Sequence, residues 1–161
     1  MRLYADNGKC SGCRACLVAC SLNLFTENNP KKAAILIVPH FPAPGVYDVK
    51  SCTQCGDCAA VCPTGACAMD TVANITKINA DKCIGCKECA MACPFGVINM
   101  HYKTGKAFKC DLCEGRDAGP VCADWCPSGA ITYTSPNIAL KAKRRAKLME
   151  RLEAAKAGEE G

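Results

Sequence analysis

Cys52-Thr-Gln-Cys55-Gly-Asp-Cys58-Ala-Ala-Val-Cys62-Pro63-Thr-Gly-Ala66 recurs as Cys83-Ile-Gly-Cys86-Lys-Glu-Cys89-Ala-Met-Ala-Cys93-Pro94-Phe-Gly-Val97, and a repeat at this scale reports architecture first. Both copies have the spacing C-x2-C-x2-C-x3-C, and a third stands at Cys10, Cys13, Cys16 and Cys20. A lone C-x2-C can clamp zinc or act as a redox dithiol. Three thiolates within about seven residues can instead wrap three corners of one iron–sulfur cubane, while the fourth, usually before proline, points away to a second cluster. Proline follows Cys62, Cys93 and Cys126, where its fixed φ and missing N–H turn the chain out of the cavity. Ser21 follows Cys20 instead.

A fourth quartet, Cys110, Cys113, Cys122 and Cys126, carries an eight-residue insertion, Glu114 to Val121, so that sixteen of the seventeen cysteines fall into four quartets. A structural zinc module and a disulfide framework both leave the repeated spacing unexplained. Met1 to Lys9 has no apolar core and no twin arginine, so the sequence predicts a reducing, cytoplasmic setting in which thiolates stay available to iron. Cys67 is left over and reads as a small buried hydrophobe. His40 and His101 read as surface or turn residues.

The chain has 161 residues but only four Phe, four Tyr and one Trp, so clusters must substitute for an aromatic core, and the metal-free chain is expected to be largely unfolded. Four cubanes would take the formal charge of +5 to about −3, which removes the case for nucleic-acid binding. Lys9, Lys82 and Lys109 flank the cysteine loops, either to offset that negative charge and tune potential or as ordinary solvated side chains. No run of eighteen apolar residues exists, so no transmembrane segment is expected. There is neither a G-x-G-x-x-G after a strand nor a P-loop, so no nucleotide site is expected.

Residues 75–79 read as a strand, and 97–102 with 106–109 as a hairpin turning at Lys103-Thr104-Gly105. The Ala-x-x-Cys-Pro segments read as single helical turns. In the connection from Ser21 to Ser51, Ala34 to Val38 reads as a buried strand and Val46 to Val49 as its partner, with the proline-rich turn Pro39 to Gly45 either a surface loop or a partner contact. Residues 1–137 form a four-cluster domain in this reading, and 138–161 a basic helical extension opened by Ser135-Pro136. That helix reads either as solvated or as docking an acidic partner or a neighbouring copy. Trp125, beside Cys126, reads as a packing residue.

Together the four quartets, Cys110-Asp-Leu-Cys113, the insertion with Arg116 and Gly119-Pro120, and Cys126-Pro127 resemble the iron–sulfur electron-transfer subunits of molybdenum and tungsten oxidoreductases, the dimethyl sulfoxide reductase iron–sulfur subunit family. Cys10-Ser-Gly-Cys-Arg-Ala-Cys16, Asn29-Pro30-Lys31-Lys32 and Gln54-Cys-Gly-Asp-Cys58 are most similar to small subunits of tungsten-pterin aldehyde oxidoreductases; formate dehydrogenases, CO dehydrogenases and hydrogenase complexes use related subunits. The resemblance covers residues 4–134. It implies an α+β, duplicated bacterial-ferredoxin-like fold of short helices and hairpins, four 4Fe-4S clusters and no catalytic residue. It further implies that the quartets exchange fourth ligands: Cys10, Cys13 and Cys16 with Cys126; Cys110, Cys113 and Cys122 with Cys20; Cys52, Cys55 and Cys58 with Cys93; Cys83, Cys86 and Cys89 with Cys62. The implied partners are a catalytic subunit and, as acceptor, a flavin- or nicotinamide-linked subunit or a ferredoxin, in anaerobic metabolism. A free-standing polyferredoxin is the competing reading, and a row of clusters with open ends also permits head-to-tail assembly of copies into filaments.

Overall fold

A computed structural model describes residues 2–134. Four antiparallel two-stranded sheets and four α-helices make it up, with two short 3-10 turns: β1 (Arg2–Ala5), α1 (Ala15–Phe25), β2 (Leu36–Pro39), β3 (Tyr47–Lys50), α2 (Asp57–Ala60), β4 (Cys67–Asp70), β5 (Ile75–Ile78), α3 (Glu88–Met91), β6 (Asn99–Met100), β7 (Ala107–Phe108), α4 (Val121–Asp124) and β8 (Ile131–Thr134). The described chain is therefore α+β. The expected tail helix and the 137/138 boundary lie outside the described residues.

The pairing is nested. β1 meets β8 across nearly the whole described chain, Arg2 opposite Thr134 and Ala5 opposite Ile131, and α1 packs on α4. Between them β4 pairs with β5, β6 with β7, and α2 packs on α3. Two main cores result. The outer one gathers Leu3, Leu17, Ile35, Val49, Leu112 and Ile131 around Cys16, Cys20 and Cys122. The inner one gathers Ile98 and Ala107 around Cys58, Cys67 and Cys89. Cysteine sulfur thus occupies the centre of both.

α1 shows what the missing proline does. With Ser21 rather than proline after Cys20, the helix runs on for eleven residues, and the wholly buried Ser21 hydroxyl donates to the Val18 carbonyl at 3.0 Å while accepting from Asn29 N–H at 3.3 Å. After Cys62, Cys93 and Cys126 the proline forbids this, and the helices are four residues long, each holding the third cysteine of its quartet and ending before the fourth.

Several elements depart from the sequence reading. Ala34 and Ile35 are buried as expected but stand outside the strand, because Ala34 N–H is spent on Cys20 Sγ at 3.3 Å rather than on a ladder partner. β2 therefore starts at Leu36, β3 runs one residue late, and Pro39 ends β2 opposite Tyr47 instead of leaving the ladder. The 97–109 hairpin is shorter than expected because Gly105 N–H returns to the His101 carbonyl at 2.8 Å. Trp125 is 53% exposed, so it does not pack into the core. Cys67 is buried, at 3% exposure, as a strand residue of the inner core.

Candidate iron–sulfur sites

The cysteine loops share one backbone path. The residues two and four positions after the first cysteine are left-handed in each regular loop: Gly12 and Arg14 (φ 69° and 61°), Gln54 and Gly56 (59° and 95°), Gly85 and Lys87 (75° and 69°). In the last loop Leu112 (60°) keeps the first of these positions, and Cys113 (54°) takes the second one residue early. A side chain in this conformation costs roughly 1–2 kcal/mol, so Arg14, Gln54, Lys87 and Leu112 hold it only because their surroundings demand it. The second left-handed residue then caps the short helix at Arg14, Gly56 and Lys87 without a side-chain hydrogen bond.

This path aims N–H groups at sulfur. Gln54 N–H donates to Cys52 Sγ and Leu112 N–H to Cys110 Sγ, both at 3.4 Å, each from two residues on. Ala107 N–H reaches Cys83 Sγ at 3.4 Å, and Cys67 N–H reaches Cys62 Sγ at 3.3 Å. Donors of this kind favour thiolate over thiol and offset the charge of whatever the thiolates bind.

The glycines test how tight the path is. A Cβ on Gly85 would stand 2.5 Å from the Gly105 carbonyl oxygen, a backbone atom of the β6–β7 turn, whereas one on Gly65 (φ 62°) would meet nothing within 4 Å. Gly85→Ala is accordingly expected to lower stability by ~3 kcal/mol and strip metal from the Cys83 loop, while Gly65→Ala costs ~1 kcal/mol. Denaturation midpoints and iron content of the two holoproteins check this, and equal behaviour would refute it.

The loops bring distant cysteines together. Cys10, Cys13, Cys16 and Cys126, with Ile37 and Ile131, line one small pocket. Cys52, Cys55, Cys58 and Cys93, with Phe95, Ile98 and Lys109, line a second. Burial pushes the Cys122 thiol up to about 12, and the neighbouring Cys20, Cys113 and Cys16 add to it. Cys110 is pushed up too, again by burial first, with Cys122, Cys52 and Cys20 among its neighbours. Cys20 and Cys16 both pack in the outer core with Cys110, Cys122 and Cys126. Cys62, the fourth cysteine of the second quartet, packs in the inner core with Cys83, Cys89 and Cys93.

Burial also raises Cys16 and Cys20 to about 11, so each must shed a proton to serve as a metal ligand. Cys58 moves the other way, to about 6, chiefly because the Cys67 thiol donates to it, with Lys109 assisting. Cys126 falls as well: burial opposes this, but N–H groups at Ile131 and Ala130 and the Ser128 hydroxyl outweigh it.

Among the described residues, no three His, Cys, Asp or Glu side chains close on a point that one ion would fill. The thiols stand back around cavities with inward N–H groups and apolar walls. That donor set and spacing fit a cubane cluster.

Sequence reasoning treated the three flanking lysines alike, and the structure separates them. Lys9 is exposed beside Asp6 at 3.9 Å and Lys82 is exposed, so neither offsets buried charge; Lys109 is 6% exposed. His40 is on the surface, 2.8 Å from Asp48, and His101 stands in the β6–β7 turn. No helix among the described residues is long and apolar enough to cross a membrane.

Residues 9–66 and 51–97 match the 4Fe-4S dicluster domain family. Protein NrfC of Escherichia coli K12 is 36% identical over 138 residues, an alignment covering 80% of this chain and 62% of NrfC, so the chain spans less than two thirds of that relative. The polyferredoxin-like subunit of the aliphatic sulfonate oxidoreductase of Pyrococcus furiosus is 38% identical over 120 residues, covering 73% and 66%. Electron transport protein HydN of E. coli K12 is 31% identical over 174 residues, covering 91% of this chain and 97% of HydN. With cysteine loops of this geometry and a match that takes in more than half its length, the chain belongs to the 4Fe-4S dicluster family and is an iron–sulfur protein.

Proposed function

We propose that this chain is the electron-transfer subunit of an oxidoreductase complex, holding four 4Fe-4S clusters in a duplicated ferredoxin-like fold and breaking no substrate bond itself. Each cluster, when bound, takes up and releases single electrons. The chain's residues do the rest. Cys10, Cys13, Cys16 and Cys126 hold the first cluster, Cys110, Cys113, Cys122 and Cys20 the second, Cys52, Cys55, Cys58 and Cys93 the third, and Cys83, Cys86, Cys89 and Cys62 the fourth. Ile37, Ile131, Phe95 and Ile98 keep water from the cavities.

The observation that most supports this reading is that two quartets share a cavity with a cysteine from a remote loop. Shared packing also supports a single row: Cys16, Cys20, Cys110, Cys122 and Cys126 meet in the outer core, and Cys58, Cys62, Cys83, Cys89 and Cys93 in the inner one. The first loop then stands at one end and the third at the other, and Cys13, Cys55 and Cys86 are the exposed cysteines of the described loops.

A subunit is favoured over a freely diffusing polyferredoxin because one relative is named as the subunit of an oxidoreductase. The catalytic partner is a molybdenum- or tungsten-pterin enzyme on the resemblance of residues 4–134, and a tungsten aldehyde oxidoreductase on the motifs at Cys10–Cys16 and Asn29–Lys32. Electrons pass on to a flavin- or nicotinamide-linked subunit or a ferredoxin, in the cytoplasm.

Anaerobic purification from native cells tests this. The protein should travel with a larger catalytic polypeptide and carry about sixteen irons. Elution alone at 17.0 kDa defeats the subunit reading, and a colourless, iron-poor sample defeats the cluster reading.

A further inference from the structure

Lys109 lies where the outer and inner halves meet. Its ammonium donates to Gln54 Oε1 at 2.9 Å, to the Cys110 carbonyl at 3.1 Å and to the Thr76 carbonyl. Gln54 completes the node by donating from Nε2 to the same Cys110 carbonyl at 2.9 Å and accepting Thr76 N–H at 3.1 Å. All three acceptors are neutral. Glu114, which shares a groove wall with Lys109, pairs with Lys77 instead, and no ion pair to Lys109 exists among the described residues. A lysine this buried is almost never left without an opposite charge.

The opposite charge must come from what the cysteines hold. Lys109 itself lines the cavity of Cys52, Cys55, Cys58 and Cys93, and it precedes Cys110, the first cysteine of the last quartet, directly in sequence. A fixed cation there is attracted more strongly once an electron has arrived, so it favours the reduced form of the centre beside it. The other flanking lysines are exposed, and water screens them.

We propose that Lys109, held by Gln54 and Thr76, raises the reduction potential of the Cys52–Cys58–Cys93 centre above that of its neighbours and so makes the junction between the halves a favoured resting place for an electron. This rests on the four-cluster reading above. Lys109 is a tuning residue: it sets where charge settles in the row and takes no part in bond chemistry.

Potentiometric titration of the anaerobic holoprotein, followed by electron paramagnetic resonance, tests it. Lys109→Gln keeps a polar side chain of similar reach without the charge. One reduced-cluster signal should shift to lower potential, at least about tenfold in its reduced-to-oxidised ratio, or about 59 mV for one electron. The other signals should move less and iron content should hold. Lys109→Arg should restore the native potential. Gln54→Glu, which leaves Lys109 in place but supplies a carboxylate partner, should lower the same signal. Unchanged potentials in both charge variants at full iron content overturn the proposal. Cluster loss in Lys109→Gln and Lys109→Arg alike also overturns it, since only the shape of the node would then matter. Absence of clusters from the wild type shows separately that the underlying reading fails.

Discussion

Removing iron and sulfide with a chelator under reducing conditions is expected to unfold residues 2–134, abolishing the far-ultraviolet dichroism of the helices and the slow amide exchange of the hairpins. The expectation follows from what the cores are made of. Cys16, Cys20 and Cys122 belong to the outer core, and Cys58, Cys67 and Cys89 make up most of the inner one, whose other buried members are Ile98 and Ala107. The sheets are isolated pairs of strands, which are marginal in water without packing. Loops holding Arg14, Gln54, Lys87 and Leu112 left-handed add strain that only a bound group offsets. Binding is then folding free energy, and its loss should exceed the roughly 5–15 kcal/mol by which domains are stable. A cooperative thermal transition surviving in the chelated, reduced protein would contradict this.

Cys20→Ala is expected to damage the centre at Cys110, Cys113 and Cys122, removing about four irons, while the centre at Cys10, Cys13 and Cys16 keeps its signal. α1 makes the difference. Cys16 and Cys20 lie one turn apart on it, yet Cys16 lines the pocket of Cys10, Cys13 and Cys126 and Cys20 does not. On the ligand exchange proposed above, the helix is a strut between two sites. The reciprocal variant, Cys126→Ala, should spare the Cys110 loop and damage the Cys10 loop. Iron counts with cluster-resolved paramagnetic spectra distinguish the two, and loss at Cys10–Cys16 in Cys20→Ala would overturn the exchange of ligands.

Much of the α+β character was legible because it is local. The repeated spacing located the loops, proline after Cys62, Cys93 and Cys126 stopped the helices after one turn, and the β-branched residues of 75–79 marked a strand that the structure places at Ile75–Ile78. What joins remote segments was not. Nothing in Arg2–Ala5 announces Ile131–Thr134 as its partner, because a four-residue strand carries no record of what it pairs with. Spacing alone likewise cannot say that Cys126 shares a cavity with Cys10; only the family resemblance suggested it. The left-handed turns at Arg14, Gln54 and Lys87 escaped notice because none is glycine, and Lys109 looked like Lys9 and Lys82 because burial is a property of the assembled fold. The consequence of Ser21 was readable and was passed over: without proline, α1 had no reason to stop at Cys20.

The nesting of one half inside the other gives synthesis an order. On the ligand assignment proposed above, every group needed by the two inner centres has left the ribosome once residue 93 emerges, so the middle of the protein can mature while the first loop, made earlier, still waits. Neither outer site can close until Cys122 and Cys126 arrive and β8 reaches back to β1. On that assignment, Cys10, Cys13 and Cys16 wait longest for their fourth ligand, through the synthesis of the 110 residues that run from Leu17 to Cys126.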